Sequence, residues 1–230
     1  MEIQAKLMKL LKSTKANVVA DVGIAAVSAA NPLMGVILTA AHDIGDLADE
    51  FRINALIKGL STGFNQEKQI NQLYNYVEKS EKNAFYVTNT LRKALLSDSP
   101  IACTIMGRML ACHIEGGTVY TQEDNIIFHA LENATDYDIR QFYKVMNEYK
   151  ENDEAGDVVF HIPNEIFNNS DFASSLNWCV LNRIFNGISG AVWVEEGQAY
   201  DNSHSPTPAA NRLFEYVDSV KQVLRYGEEM

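Results

Sequence analysis

The segment from Ile101 to Glu115, IACTIMGRMLACHIE, is apolar on nearly every side of a helix of 3.6 residues per turn. Such a helix cannot lie on a surface, so other helices must enclose it. Its ends are written locally. Ser99 is a side-chain N-cap, and Pro100 falls at the first helical position, where a missing N–H costs nothing. Gly116 and Gly117 stop it. The flanking sequence can supply the enclosing shell. Ile70, Leu73, Tyr74, Val77, Phe85, Thr88, Leu91 and Leu95 form one stripe and predict a single long helix over 66–96. Thr121, with Asp124 three residues on, has the pattern of a capping box, and Asp136 reads as the cap of a further helix, YDIRQFYKVMNEY. Upstream, Ile44, Leu47, Ala48, Phe51, Ala55 and Leu56 share a face that STGFN terminates.

The pattern changes after KENDEAGD (150–157), a charged stretch that reads as a linker. VVFHIP predicts a short strand ended by proline, and FASSLNWCVLNRIFNGI a helix with Phe172, Leu176, Val180 and Ile184 on one face. GAVWVEEGQAYD has the look of a two-stranded wing, and Thr207 with Pro208 opens a last amphipathic helix. The expected fold is mainly α: a multi-helix N-terminal domain followed by a winged-helix-like α+β domain. The expected divisions are a basic helix plus apolar small-residue hairpin (1–41), a helical domain (42–150), a linker (151–156) and the winged-helix-like domain (157–230).

The N-terminus poses a separate question, because Ala16 to Ala41 carries a single charge, Asp21. A helix from Val18 to Ala41 would be about 36 Å long, enough to cross hydrocarbon. Asp21 and the break at Asn31–Pro32 argue against that, as does its wealth of alanine, glycine and serine. Close packing as a helical hairpin is the expectation, with a membrane span as the alternative. A cleaved signal peptide fits poorly, since the apolar part is mostly alanine and valine. Before it, Lys6, Lys9, Lys12 and Lys15 lie opposite Ile3, Leu7, Leu10 and Leu11, so these lysines are the candidates for contact with an anionic membrane surface.

The net charge is −11, and residues 1–15 alone contribute +3, so the remainder carries −14. That balance disfavours nucleic acid, whose affinity comes from clustered cations. In FASSLNWCVLNRIF the only cation is Arg183; Asn177, Asn182 and Asn186 could read adenine edges, but Glu195, Glu196 and Asp201 would repel phosphate. Protein contact is the better use of such a helix, with Trp178, Arg183 and Trp193 as candidate partner-binding residues. His42, Asp46 and Asp49 share a helix face and could hold a divalent metal, but they also form the solvated side of an amphipathic helix, so no metal site is assigned. Cys112, His113 and His129 suggest a nucleophile and base, yet Cys112 sits in an apolar helix and no third group to orient a histidine is visible. Three cysteines at spacings that match no metal motif fit a reducing cytoplasm.

VLNRIFNGISGAVWVEEGQAY followed by SPTPAANRLFEYV resembles the ending of bacterial winged-helix modules. With its small-residue N-terminus and helical middle, the chain is similar to bacterial and phage-borne proteins of the abortive-infection alpha type. The resemblance implies a setting of cell–phage conflict and no mechanism. The resulting expectation is a non-enzymatic interaction or regulatory protein without a cofactor. It would be cytoplasmic or membrane-associated, and its partner another protein or a second copy of itself. A membrane-acting effector and a DNA-binding regulator are the alternatives.

Overall fold

The computed structural model describes residues 50–62, 66–152, 157–187 and 203–224. The expectations for residues 1–41 lie outside them. The described chain is mainly helical with a small antiparallel sheet. Six helices come first: α1 (Glu50–Ser61), α2 (Gln66–Lys79), α3 (Glu81–Leu96), α4 (Pro100–Gly116), α5 (Gln122–Glu132) and α6 (Asp136–Glu148). Then follow β1 (Lys150–Asn152), β2 (Val158–His161), α7 (Asn164–Phe167), α8 (Ser170–Leu181), β3 (Phe185–Gly187), β4 (Ser203–Pro206) and α9 (Pro208–Leu224).

α4 is the enclosed helix its composition demands: Ile105, Met106 and Met109 are fully buried, and α1, α2, α3, α5, α6 and α9 all pack on it. The Ser99 hydroxyl accepts from the Ala102 amide at 2.9 Å, as expected. At the other end Gly117 adopts φ 59°, and the Thr118 amide reaches back to the His113 carbonyl at 3.1 Å. This is a Schellman ending, which requires the left-handed conformation that glycine adopts without strain. The closest packing is between α4 and α1. A Cβ on Gly107 would fall 2.0 Å from the Leu56 carbonyl oxygen, and one on Gly59 would fall 1.8 Å from that of Thr104. The two backbones therefore touch, and no side chain larger than hydrogen fits between them.

Four expectations need correction. The stripe over 66–96 does not make one helix. Ser80 is extended (φ −162°, ψ 154°), and its hydroxyl caps α3 by accepting from the Asn83 amide at 3.1 Å. The buried Asn83 side chain donates to the Tyr76 carbonyl at 2.8 Å, tying the new helix to the old one. Phe85, assigned to the apolar stripe, is 47% exposed as a result. Second, α6 is capped by Thr135, not Asp136: the Thr135 hydroxyl accepts from the Asp138 amide at 3.1 Å, and the Asp138 carboxylate accepts from the Thr135 amide at 2.9 Å. Asp136 instead serves the start of α4, accepting from the Ser99 hydroxyl and, at 3.3 Å, from the Ile101 amide.

Third, the supposed linker begins as a strand. Lys150, Glu151 and Asn152 pair with Phe160, Val159 and Val158. The sheet order is β1-β2-β4-β3, with every neighbouring pair antiparallel. Buried residues on both sides of 151–156 belong to one continuous core. The Phe160 and Phe185 rings of the sheet pack at a tilt with centroids 4.9 Å apart, Phe142 of α6 lies 5.7 Å from Phe185, and Leu213 and Val217 of α9 join the same cluster. Fourth, the helix containing Trp178 ends at Leu181. Arg183 turns the chain with φ 59°, and Ile184 is buried beyond the turn.

The α1–α4 contact generates a sharp expectation. Gly107→Ala should cost about 3 kcal/mol or more, because carbonyl backbone rather than a flexible side chain must give way. Gly116→Ala meets only the Thr118 side chain, at 3.3 Å, and should change stability by about 1 kcal/mol at most. Urea melts of both variants measure the contrast; equal effects would remove the crossing as its cause.

Candidate functional site

Two helix caps meet beneath the short loop between α4 and α5. At the end of α4 stands His113; at the start of α5, Thr121 and Asp124 form a capping box in which each binds the other's backbone. The Asp124 carboxylate accepts from the Thr121 amide at 2.6 Å through Oδ2. The same oxygen lies 3.0 Å from His113 Nε2, a close approach whose N–H is not well aligned on it. On the other oxygen, Arg212 Nε of α9 sits at 3.1 Å and the Tyr216 hydroxyl donates at 3.4 Å. Arg212 also donates to the Tyr216 hydroxyl at 3.0 Å and to the Thr121 hydroxyl at 3.2 Å. Aromatic rings close the cluster: Tyr86 meets His113 edge-on at 5.0 Å and stacks on Tyr120 at 4.9 Å.

Asp124 is fully buried and His113 is 1% exposed. Burial by itself would push the Asp124 carboxyl up. The His113 contact, the Thr121 amide and the charges of His113 and Arg212 outweigh it, so the carboxyl is held below its ordinary value of 3.8. Burial first, and then the Asp124 charge, push Tyr216 up to about 12 against the hydrogen bond from Arg212, which lowers it. The buried Tyr86 hydroxyl, which has no hydrogen-bond partner among the described residues, is raised well above its usual value. On the other side of the ring, Nδ1 of His113 lies 2.8 Å from the Thr118 hydroxyl, and the tautomer decides which of the two donates. Thr118 is exposed. The residues after it, Val119, Tyr120 and Thr121, line a cleft of about 430 Å³ together with Phe85, Gln122 and Asn125.

The group that orients a histidine is therefore present, though the sequence did not display it. A signal existed: His113 sits just before a glycine stop and Asp124 inside the next cap, so a short loop must bring them near each other. Arg212 and Tyr216, about ninety residues further on, had no such signal. The sequence's own nucleophile candidate fares worse. Burial raises the Cys112 thiol against a weaker opposing pull from Arg108, and His129 lies outside on α5, 72% exposed and 3.9 Å from Glu132.

Trp178 is not a surface anchor. It is 9% exposed, and its indole N–H donates to the Ala130 carbonyl at 3.3 Å, which docks α8 on the end of α5. Arg183 is exposed in the turn before β3. Trp193, Glu195, Glu196 and Asp201, the lysines Lys6, Lys9, Lys12 and Lys15, and His42, Asp46 and Asp49 lie outside the described residues. Among the described residues no group of three or more His, Cys, Asp or Glu could hold a metal ion, and no helix is long and apolar enough to cross a membrane.

Removing the central charge should be costly. Asp124→Asn leaves Arg212 and His113 facing a neutral amide and should destabilise by about 3–5 kcal/mol. Because the folded carboxyl is held low, its contribution is complete above 3.8 and is lost as pH falls through the lower folded value. In urea melts the stability difference between the two proteins should therefore be constant above about pH 5 and narrow progressively on acidification below 3.8. A thiol reagent should label the folded protein slowly at Cys112 and leave Cys103 and Cys179 untouched until unfolding, because both are buried and raised. Mass spectrometry of labelled peptides reads this directly. Comparison with protein-family models, with curated proteins and with solved structures finds no match to this chain, so the chemistry of the cluster rests on its own residues.

Proposed function

We propose that the chain is a protein-interaction module of regulatory type that associates with a second copy of itself through the outer face of α8. The observation that carries this is the composition of that face. Asp171, Ser174, Asn177 and Leu181 are exposed on it, and Leu181, at 74%, is the most exposed large apolar residue among those described. A lone exposed leucine is ordinary, but one that ends an exposed helix face beside the exposed turn at Arg183 offers an apolar centre with a cationic neighbour. Arg183 of one copy and Asp171 of the other are then natural opposite charges at the rim.

A winged-helix likeness supports the choice of face. β2, β4 and β3 lie in that order in the sheet, and α7 and α8 intervene between β2 and β3. In such modules the second helix of the pair is the reading helix. Here its outer face has no cation, and a chain of net charge −11 is a poor partner for phosphate.

Sedimentation velocity over a wide concentration range should show a reversible oligomer for the full chain. Leu181→Glu should shift it to monomer while changing stability by no more than about 0.5 kcal/mol, since the side chain is exposed. A strictly monomeric wild-type chain overturns self-association. Salt-sensitive binding of duplex DNA, lost in Arg183→Ala, would transfer the face to nucleic acid.

A further inference from the structure

The Asp124–His113–Thr118 line supports an activity that goes beyond an interaction role and does not depend on it. We propose that Thr118 is an activated hydroxyl which accepts an acyl group from ester substrates, with His113 as its base and Asp124 as the group that fixes the histidine.

Three features carry this. The first is order along the line: a buried carboxylate 3.0 Å from Nε2, and a hydroxyl 2.8 Å from Nδ1. A carboxylate at one ring nitrogen selects the tautomer with the proton there, so the other nitrogen is free to take the hydroxyl proton. The roles of the two nitrogens are exchanged relative to the familiar serine-protease arrangement, but the proton path is equivalent. The second is access. The base and its carboxylate are buried, whereas Thr118 is exposed and directly precedes the cleft-lining residues. Phe85 and Val119, both 47% exposed, give that cleft an apolar wall for a short acyl chain, beside the polar Glu81, Lys82, Gln122 and Asn125. The third is an unusual pairing. In a Schellman ending the residue after the left-handed one commonly makes an apolar contact with the third residue from the helix end. Here those two positions are Thr118 and His113, and the contact is a hydrogen bond.

The step balances without a redox partner. Thr118 Oγ1 attacks the ester carbonyl carbon as its proton passes to His113 Nδ1. The bond to the leaving alkoxide breaks, and Nδ1 returns the proton to it, releasing an alcohol. Water then attacks the acyl-threonine through the same base, freeing the carboxylic acid and restoring the hydroxyl.

The test uses the full chain and p-nitrophenyl acetate. We expect a burst of p-nitrophenolate and an acetyl mass increment on the peptide containing Thr118. Thr118→Ser should retain both. Thr118→Val, at an exposed position, should fold normally and lose both. His113→Gln should slow acylation by about 100-fold or more; if that variant fails to fold, the valine and serine variants decide alone. A wild-type chain that shows no burst above Thr118→Val, or that is acetylated only on lysines, overturns the proposal.

Discussion

At Gly59 of α1 and Gly107 of α4 two helix backbones come so close that neither glycine has room for a Cβ. Much else follows from it. Because α4 is apolar on nearly every side, most of it must be covered, and a helix that touches it without intervening side chains leaves the most room for the others. Leu56 and Leu60 flank the contact on α1, as Cys103, Met106 and Ala111 do on α4, and all five are buried. The remaining sides of α4 are taken by α2, α3, α5, α6 and α9. Dispersion and burial are summed over a large area there, but the permission for that area comes from two hydrogen atoms.

A second kind of connection sets the polar interior. Ser99 and Asp136 join the start of α4 to the start of α6, while His113 and Asp124 join its end to the start of α5. Each helix terminus leaves amides or carbonyls without partners inside the helix. In this chain the groups that satisfy them are also bonded to one another, so capping and tertiary docking are one set of contacts. Ser175 continues the scheme by donating to Asp138, itself part of the α6 cap, at 2.6 Å.

These connections explain which features were legible in the sequence. Caps at Ser99, Thr121 and Thr207 were readable because an N-cap acts over three residues, and all three hydroxyls accept the expected amides. The break at Ser80 was not, because the apolar stripe continues across it, and it is the Ser80 cap and the Asn83–Tyr76 hydrogen bond that show why the chain turns. Trp178 looked like an anchor since tryptophan is common in interfaces, but its ring is needed to fill the junction of α8 with α5. The α1–α4 crossing had left a trace: Cys103, Gly107 and Ala111 recur every fourth residue, a small-residue line on one side of an otherwise bulky helix. The Arg212 contribution to Asp124 left none, because nothing local specifies which cation meets a buried carboxylate.

The lateness of Arg212 has a consequence for how the chain is made. Asp124 is synthesised almost ninety residues ahead of the guanidinium that sits beside it. Until α9 emerges, the first six helices can approach their packed arrangement only with that carboxylate short of a counter-charge, which is unfavourable in a closed interior. A chain broken off before residue 212 contains every residue of the α1–α4 crossing, yet lacks the cation that sits beside the buried Asp124.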